Sequence, residues 1–189
     1  MKFLDTILGR SRAVPAKLDA LFALPSAAVT LETEAGLASS GTAAVCFKPA
    51  SGQAFETVRA DLEELLKLDA SQSGTMLSDQ DDSFGYHWII LSAPDIGDLV
   101  SRVHIVNSTL EERGFGPQLL CSVFGFGEAS KRLYLVYLYK RGTFYPFAPR
   151  ESDRRDNEEE LRIRGIVSGD LPIEDDLTRW FPVWGVPLG

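Results

Sequence analysis

The segment RLYLVYLY constrains the fold of this chain more than any other feature. Leu133, Leu135 and Tyr137 alternate along it with Tyr134 and Val136. Because successive side chains of a strand point to opposite faces of a sheet, a strand here is apolar on both faces. Such a strand lies either in the centre of a sheet or against a partner. The sequence therefore predicts a strand that is covered rather than solvated.

Helices alternate with strands along the rest of the chain. The predicted elements are, in order, helices over 1–12 and 15–24, two strands within 27–49 joined by a glycine-containing turn, a helix over 55–66, a strand over 84–91, a helix over 92–114, a strand pair over 118–149 and a charged helix over 151–165. Strand pairs separated by helices favour an α+β fold with a mainly antiparallel sheet covered by helices. We expect a single domain over 1–189, with an amphipathic N-terminal helix and an extended, aromatic C-terminal tail.

The helix predicted over 92–114 carries a long apolar stripe. Ser92 and Asp95 form the capping-box pattern S-x-x-D, and Gly114 provides a C-terminal stop. The stripe consists of Ile96, Leu99, Val100, Val103, Val106 and Leu110. Asn107 lies inside this stripe, and the sequence leaves open whether its role is more than structural.

The charge balance argues against nucleic-acid binding. The 189 residues carry a formal net charge of −8. A duplex-binding protein needs a basic face that neutralises phosphates, and none is evident in this balance. Arg154 and Arg155 are the candidates for such contacts, and we rank this function last.

The cysteines and the hydropathy pattern favour a cytoplasmic protein. Cys46 and Cys121 are far apart in the sequence and have apolar neighbours, which suits a reducing compartment better than a disulfide framework. No apolar run approaches the roughly 20 residues that span a bilayer. The N-terminal segment lacks the small-residue cleavage site of a signal peptide.

The segment DQDDSFGYHWII raises the question of an acid/base centre. His87 with Asp81 or Asp82 has the composition of an oriented general base, as in a hydrolase-type enzyme or a small-ligand sensor. No nucleophile with a recognisable setting accompanies it, and no G-x-S-x-G motif is present. We therefore interpret the segment as an acidic turn that enters a core strand, with the enzyme or sensor as the alternative. The role of His87 stays open, and we assign no catalytic residue.

The sequence predicts neither a metal site nor a cofactor. Cys46, His87, His104 and Cys121 would form a Cys₂His₂ set, but each comes alone from a different element. Zinc sites of this kind have paired ligands at short spacing, and that spacing is absent here.

Basic and aromatic residues interleave near the C-terminal half of the chain. This composition is typical of a contact surface for a protein partner. The residues that we predict for such a surface are Lys140, Arg141, Phe144, Tyr145, Trp180 and Trp184. The alternative is that the same aromatic residues pack on the protein's own core, since a domain must cover its sheet.

Four long stretches together resemble one family. They are GFGPQLLCSVFGF, LVYLYKRGTFYPFAP, RRDNEEELRIRG and DLPIEDDLTRWFPVWG. They are similar to the PspA-associated protein PspAB family of actinobacteria and archaea, and the start of the chain and DDSFGYHWII fit as well. The resemblance implies association with phage-shock protein A (PspA), a coiled-coil membrane-remodelling protein of the envelope stress response. It supplies no catalytic motif.

This resemblance favours a non-enzymatic binding or regulatory protein. We expect a PspA homologue as its partner, with a homodimer as a further assembly, and contact with the inner face of the membrane only through a partner. The order of elements also resembles the type III secretion chaperone-like fold, a dimerising, protein-binding α+β scaffold. Likeness of fold alone implies no function.

Overall fold

A six-stranded sheet forms the centre of the molecule. The computed structural model describes residues 18–48, 76–128, 131–151 and 153–188, together with Ala60, Leu62 and Glu64. The strands are β1 (Ser39–Phe47), β2 (Met76–Asp81), β3 (His87–Ser92), β4 (Leu119–Phe126), β5 (Leu133–Leu138) and β6 (Thr143–Phe147). Their order in the sheet is β2-β3-β1-β4-β5-β6, and each neighbouring pair is antiparallel. The prediction of an α+β fold with a mainly antiparallel sheet is confirmed.

Helices cover one face of this sheet. The described helices of at least three turns are α1 (Leu24–Ala35), α2 (Ile96–Glu112) and α3 (Asn157–Val167), and a short 3₁₀ segment (Leu18–Ala23) precedes α1. The apolar stripe predicted for α2 is buried from Leu99 to Leu110, and Ile96 is partly buried against the same core. Asn107 lies in this interface and donates from Nδ2 to the hydroxyl of buried Ser122 in β4, over 3.0 Å. Asp95, rather than Ser92, caps the helix by accepting from the N–H groups of residues 97 and 98.

The C-terminal tail covers the opposite face of the sheet. Trp180 and Leu188 are buried there against apolar side chains of β1, β4, β5 and β6. The tail also extends the sheet beyond β6, where Phe144 exchanges backbone hydrogen bonds with Pro172 and Glu174. The strand β5 lies between β4 and β6 with both of its faces covered, as its sequence predicts.

The prediction of two strands within 27–49 is wrong in its first half. Residues 27–35 belong to α1, and only the second half forms a strand, β1. Pro25 lies in the first turn of α1, where the backbone N–H groups have no partner within the helix, so its missing N–H breaks no hydrogen bond. Pro25 therefore begins α1 instead of ending the preceding helix. Gly36 closes the helix in the left-handed conformation, at a φ of 65°.

Four other predicted elements differ from the structure or lie partly or wholly outside the described residues. The strand pair predicted over 118–149 is three strands, β4 to β6, followed by a short hairpin of β7 (Pro149–Arg150) and β8 (Arg154–Arg155). The charged helix begins at Asn157, because Asp156 caps it. Of the helix predicted over 55–66, Ala60, Leu62 and Glu64 are helical and Leu62 is buried. The rest of that helix and the one predicted over 1–12 lie outside the described residues.

Candidate functional site

A groove lies on the tail-covered face of the sheet. Its cavity measures about 540 Å³. The residues that line it are Cys46, Trp88, Leu120, Cys121, Leu138 and Tyr145 from the strands, Asp82, Phe84 and Tyr86 from the β2–β3 hairpin, and Phe181, Pro182, Val183 and Trp184 from the tail. We call this feature the aromatic groove. Most of its lining is apolar, and among the described residues Asp82 is the one carboxylate in it.

The β2–β3 hairpin forms one wall of the aromatic groove. Asp82 organises its turn, since its carboxylate accepts from the N–H of Phe84 over 2.8 Å and from the N–H of Tyr86 over 3.0 Å. The same carboxylate accepts from the indole N–H of Trp88 over 2.9 Å. Gly85 has a φ of 80°, a left-handed conformation that glycine adopts without steric cost. The turn thereby holds Phe84 and Tyr86 at the rim of the groove.

We expect Asp82→Ala to destabilise this hairpin. The substitution removes one charged acceptor from three donors, which corresponds to about 2 kcal/mol of unfolding free energy. Burial opposes ionisation of Asp82, but the hydrogen bonds from Trp88 and from the turn N–H groups outweigh it and lower the pKa of this carboxyl. The stabilisation is therefore complete above the unfolded pKa of about 3.9 and is lost as the pH falls through the lower folded pKa.

Denaturant titrations of Asp82→Ala at several pH values measure this effect, with Ser83→Ala in the same turn as the control. The difference in unfolding free energy between wild type and Asp82→Ala should decrease at acid pH. A difference that persists unchanged at the lowest pH would contradict the role of the carboxylate.

The tail forms the other wall of the aromatic groove. The ring of Tyr145 stacks on Trp180 with centroids 5.9 Å apart, and its hydroxyl donates to the carbonyl of Phe181 over 2.8 Å. Trp184 contacts the ring of Phe147 edge-on, with centroids 4.9 Å apart. These contacts fix the backbone of the tail and leave the side chain of Phe181 61% exposed at the rim.

A buried carboxylate holds the start of the tail. Glu174 accepts hydrogen bonds from Arg141, from the Thr143 hydroxyl over 3.0 Å and from the N–H of Asp176 over 3.2 Å. Its burial acts to raise the pKa of Glu174, but these donors outweigh burial and lower it. The carbonyl of Glu174 in turn accepts from the indole N–H of Trp180 over 2.9 Å. Arg141 is thus already paired within the chain.

The structure divides the six residues that we predicted for a partner surface. Phe144, Tyr145 and Trp180 are buried within the chain, and their part in partner binding stays a prediction. Their aromatic rings cover the protein's own sheet, which is the alternative that the sequence left open. Lys140 is exposed and donates to the carbonyl of Pro117 over 3.0 Å. Of the six residues, only Tyr145 and Trp184 line the aromatic groove, and the binding role stays a prediction.

The aspartates near His87 lie partly in a strand. Asp79 and Asp81 belong to β2, so the interpretation of the whole segment as an acidic turn is wrong for them, and only Asp82 lies in the turn. In the β2–β3 hairpin, Asp81 lies opposite His87. The Nδ1 atom of His87 is 2.7 Å from Asp81, and its Nε2 atom is 3.3 Å from Asp79.

His87 is buried away from the aromatic groove. Its ring contacts Phe47, which belongs to the core on the helix-covered face. Trp88, the next residue, points to the groove face, and Asp82 contacts Trp88 instead of His87. The pairing of His87 with Asp81 therefore exists, whereas the carboxylate of Asp82 accepts from the indole of Trp88.

Two features of the site escaped the sequence reasoning. Phe84, Tyr86, Leu120 and Phe181 line the groove although none of them was predicted. Their common signal is a large apolar side chain that remains exposed, which only the fold reveals. Cys46 and Cys121 are direct neighbours across β1 and β4, which their separation in the sequence conceals.

The described part of the chain offers neither a cluster of metal-binding side chains nor a helix suited to a membrane. Within residues 18–48, 76–128, 131–151 and 153–188, no group of three or more histidine, cysteine, aspartate and glutamate side chains is arranged to hold a metal ion. Over the same described residues, no helix combines the length and the apolar character needed to cross a bilayer.

Comparison with known proteins identifies the family. No curated protein and no solved structure matches the chain, so the likeness to the type III secretion chaperone-like fold stays a prediction. The family model described as PspA associated protein B (PspAB) matches residues 1–188, almost the whole chain. This span includes the hairpin, the strands and the tail that form the aromatic groove. The chain therefore belongs to the PspA associated protein B family.

Proposed function

We propose that this protein is a non-enzymatic, regulatory binding component of a PspA-type envelope stress response. In this proposal the aromatic groove receives an apolar helix face of a PspA homologue. The observation that carries the proposal is the groove itself, with Phe84 67% exposed and Phe181 61% exposed on facing walls. The family name, which links these proteins to PspA, supports the choice of partner.

The chemistry of the groove suits an amphipathic helix. Exposed apolar patches rimmed by polar residues are typical of interaction sites, and buried aromatic side chains dominate interface energetics. A helix that lays its apolar stripe into a groove is a recurring mode of recognition, and coiled-coil proteins carry such stripes. The cavity lies between fixed walls, so a helix would meet a largely preformed surface.

The surroundings of His87 support a binding protein over an enzyme. Both ring nitrogens of His87 lie close to carboxylates, and the side chain does not line the groove. A general base must reach the proton that it removes from a substrate. An oriented histidine that lies outside the aromatic groove is better suited to holding β2 against β3 than to catalysis.

The proposal places the protein in the cytoplasm, where it reaches the inner face of the membrane through its PspA partner. Among the described strands β2 lies at one edge of the sheet, and it disfavours strand-to-strand dimerisation because Asp79 and Asp81 put negative charge on it. At the opposite edge, the tail pairs with Phe144 of β6. A homodimer would therefore have to use another surface.

Phe181→Asp tests the groove directly. This substitution places a charge on the rim while the backbone carbonyl that accepts from Tyr145 remains. We expect the Kd for a PspA homologue, measured by calorimetry, to rise at least about 10-fold, because desolvating the carboxylate opposes binding. Val29→Asp on α1 is the matched control, since Val29 is 63% exposed and lies outside the groove lining.

The two variants separate the groove from the rest of the surface. Binding by Val29→Asp should equal that of wild type. Equal affinity of wild type and Phe181→Asp would rule out the groove as the site, and no heat of binding for wild type would overturn the proposed function.

A further inference from the structure

The two cysteines of the chain form a cross-strand pair in the centre of the sheet. Cys46 of β1 and Cys121 of β4 are direct partners in the antiparallel register, and both are free thiols. Residues directly opposite one another on antiparallel strands have Cα atoms about 4.5–5.5 Å apart. Disulfides form at Cα separations of roughly 4.4–6.8 Å. The backbone therefore already holds the two sulfur atoms in reach of a covalent bond.

The aromatic groove connects this pair with solvent. Both cysteines belong to the groove lining, although each is buried overall. A small polar molecule that enters the cavity of about 540 Å³ can therefore approach the two sulfur atoms. Cys121 is 9% exposed and Cys46 is 4% exposed, so Cys121 is the more accessible of the two.

We propose that Cys46 and Cys121 form a reversible dithiol–disulfide site that is oxidised by hydroperoxides entering through the aromatic groove. The site is a modification site beyond the proposed binding function and does not depend on it. Its chemistry requires only the two thiols of this chain and a hydroperoxide as the oxidant.

The reaction proceeds in two displacements. The deprotonated sulfur of Cys121 attacks one oxygen of hydrogen peroxide, the O–O bond breaks, and the leaving hydroxide takes up a proton as water. The sulfur of Cys46 then attacks the resulting sulfenic acid at the Cys121 sulfur, the S–O bond breaks, and a second water leaves with the proton of Cys46. In sum, two thiols and one peroxide yield one disulfide and two waters, so each sulfur loses one electron.

The environment of the pair assigns the two roles. The hydrogen bond with Cys121, together with burial, raises the pKa of the Cys46 thiol. Cys46 thus retains its proton until the second step, in which it resolves the sulfenic acid. Cys121 is the more exposed of the two sulfur atoms in the groove lining, so we assign the first attack on peroxide to it.

The position of the pair also makes the bond reversible. β1 and β4 are hydrogen-bonded along most of their length, and neither lies at an edge of the sheet. The strand pairing restrains both cysteines when the sulfur atoms join, although the register shifts between Cys46 and Phe47. A disulfide formed under such restraint is more easily reduced than an unrestrained one, so a cellular dithiol reductant should restore the thiols.

Intact-mass spectrometry of the wild-type protein tests this proposal. After treatment with hydrogen peroxide, the protein should be about 2 Da lighter than the reduced protein, because two thiols have lost their hydrogens. A thiol-blocking reagent added afterwards should find no thiol to react with and should add no mass. Dithiothreitol should reverse both changes. Peptide mapping should find Cys46 joined to Cys121 within one chain, which separates this bond from a link between chains and from methionine oxidation.

Single substitutions test the assigned order. Cys46→Ala should accumulate a sulfenic acid on Cys121 that dimedone traps, whereas Cys121→Ala should react far more slowly. An unmodified wild-type protein, a stable sulfinic acid or a link between chains would overturn the proposal. The wild-type measurement tests the disulfide proposal even if a substitution impairs folding. It is made without a PspA homologue, so a negative result here is distinct from a failure of the proposed binding function.

Discussion

Replacing Trp180 by alanine is expected to lower the free energy of unfolding by about 3–5 kcal/mol, the usual cost of removing a large buried aromatic side chain. Trp180 is 5% exposed and stacks on Tyr145. Its indole N–H donates to the carbonyl of Glu174, so the substitution also removes a hydrogen bond that fixes the tail. The lost contacts lie between the tail and the sheet, and the groove wall should loosen with them.

Phe181→Ala is the matched control for this prediction. Phe181 is the next residue of the same tail, but most of its side chain is exposed. Urea denaturation should find its stability within about 0.5 kcal/mol of wild type, as for surface substitutions in general. A small effect of Trp180→Ala, equal to that of Phe181→Ala, would contradict the account of the tail as the cover of the sheet.

Glu160→Ala is expected to cost about 3 kcal/mol, the lower end of the range for breaking a buried ion pair. Glu160 is buried in the first turn of α3 and accepts from the N–H of Ala148 over 3.0 Å. It also pairs with Arg155, whose Nη2 lies 2.7 Å from its Oε2. Arg155 in turn donates to the carbonyl of Trp180 over 2.6 Å, so this carboxylate supports the tail at a distance.

Glu158→Ala, in the same turn of α3, provides the comparison for Glu160→Ala. Glu158 is exposed, so its removal should change the unfolding free energy by less than about 0.5 kcal/mol. Thermal and urea denaturation of the two variants measure the difference. Similar stabilities of both variants would show that Arg155 finds an equivalent partner and that the buried pair contributes little.

The sequence predicts the parts of the fold whose periodicity is strong. The stripe of α2 and the two apolar faces of β5 follow from spacing alone, because both extend over many residues. The sequence predicts a strand where α1 lies, because the pattern of the preceding helix ends before Pro25. In the structure Pro25 lies in the first turn of α1. The strand β2 was missed since its Asp79 and Asp81 resemble a turn, although aspartates are tolerated on an exposed strand edge.

The candidate site was harder to predict than the fold. The sequence identifies Tyr145, Trp184 and Asp82 as notable, but it cannot decide which aromatic rings cover the sheet and which remain exposed. Trp180 and Phe181 are adjacent in the chain and have opposite environments, because the extended tail points successive side chains in different directions. The aromatic groove and the thiol pair arise from segments far apart in sequence, so only the strand register brings them together.

The most direct test of the account is the light-scattering mass after size exclusion, measured for the protein alone and mixed with the PspA homologue of the same genome. We predict a co-eluting complex whose mass contains both chains. Two separate peaks, each with the mass of its component alone, would contradict the proposal that this protein binds PspA.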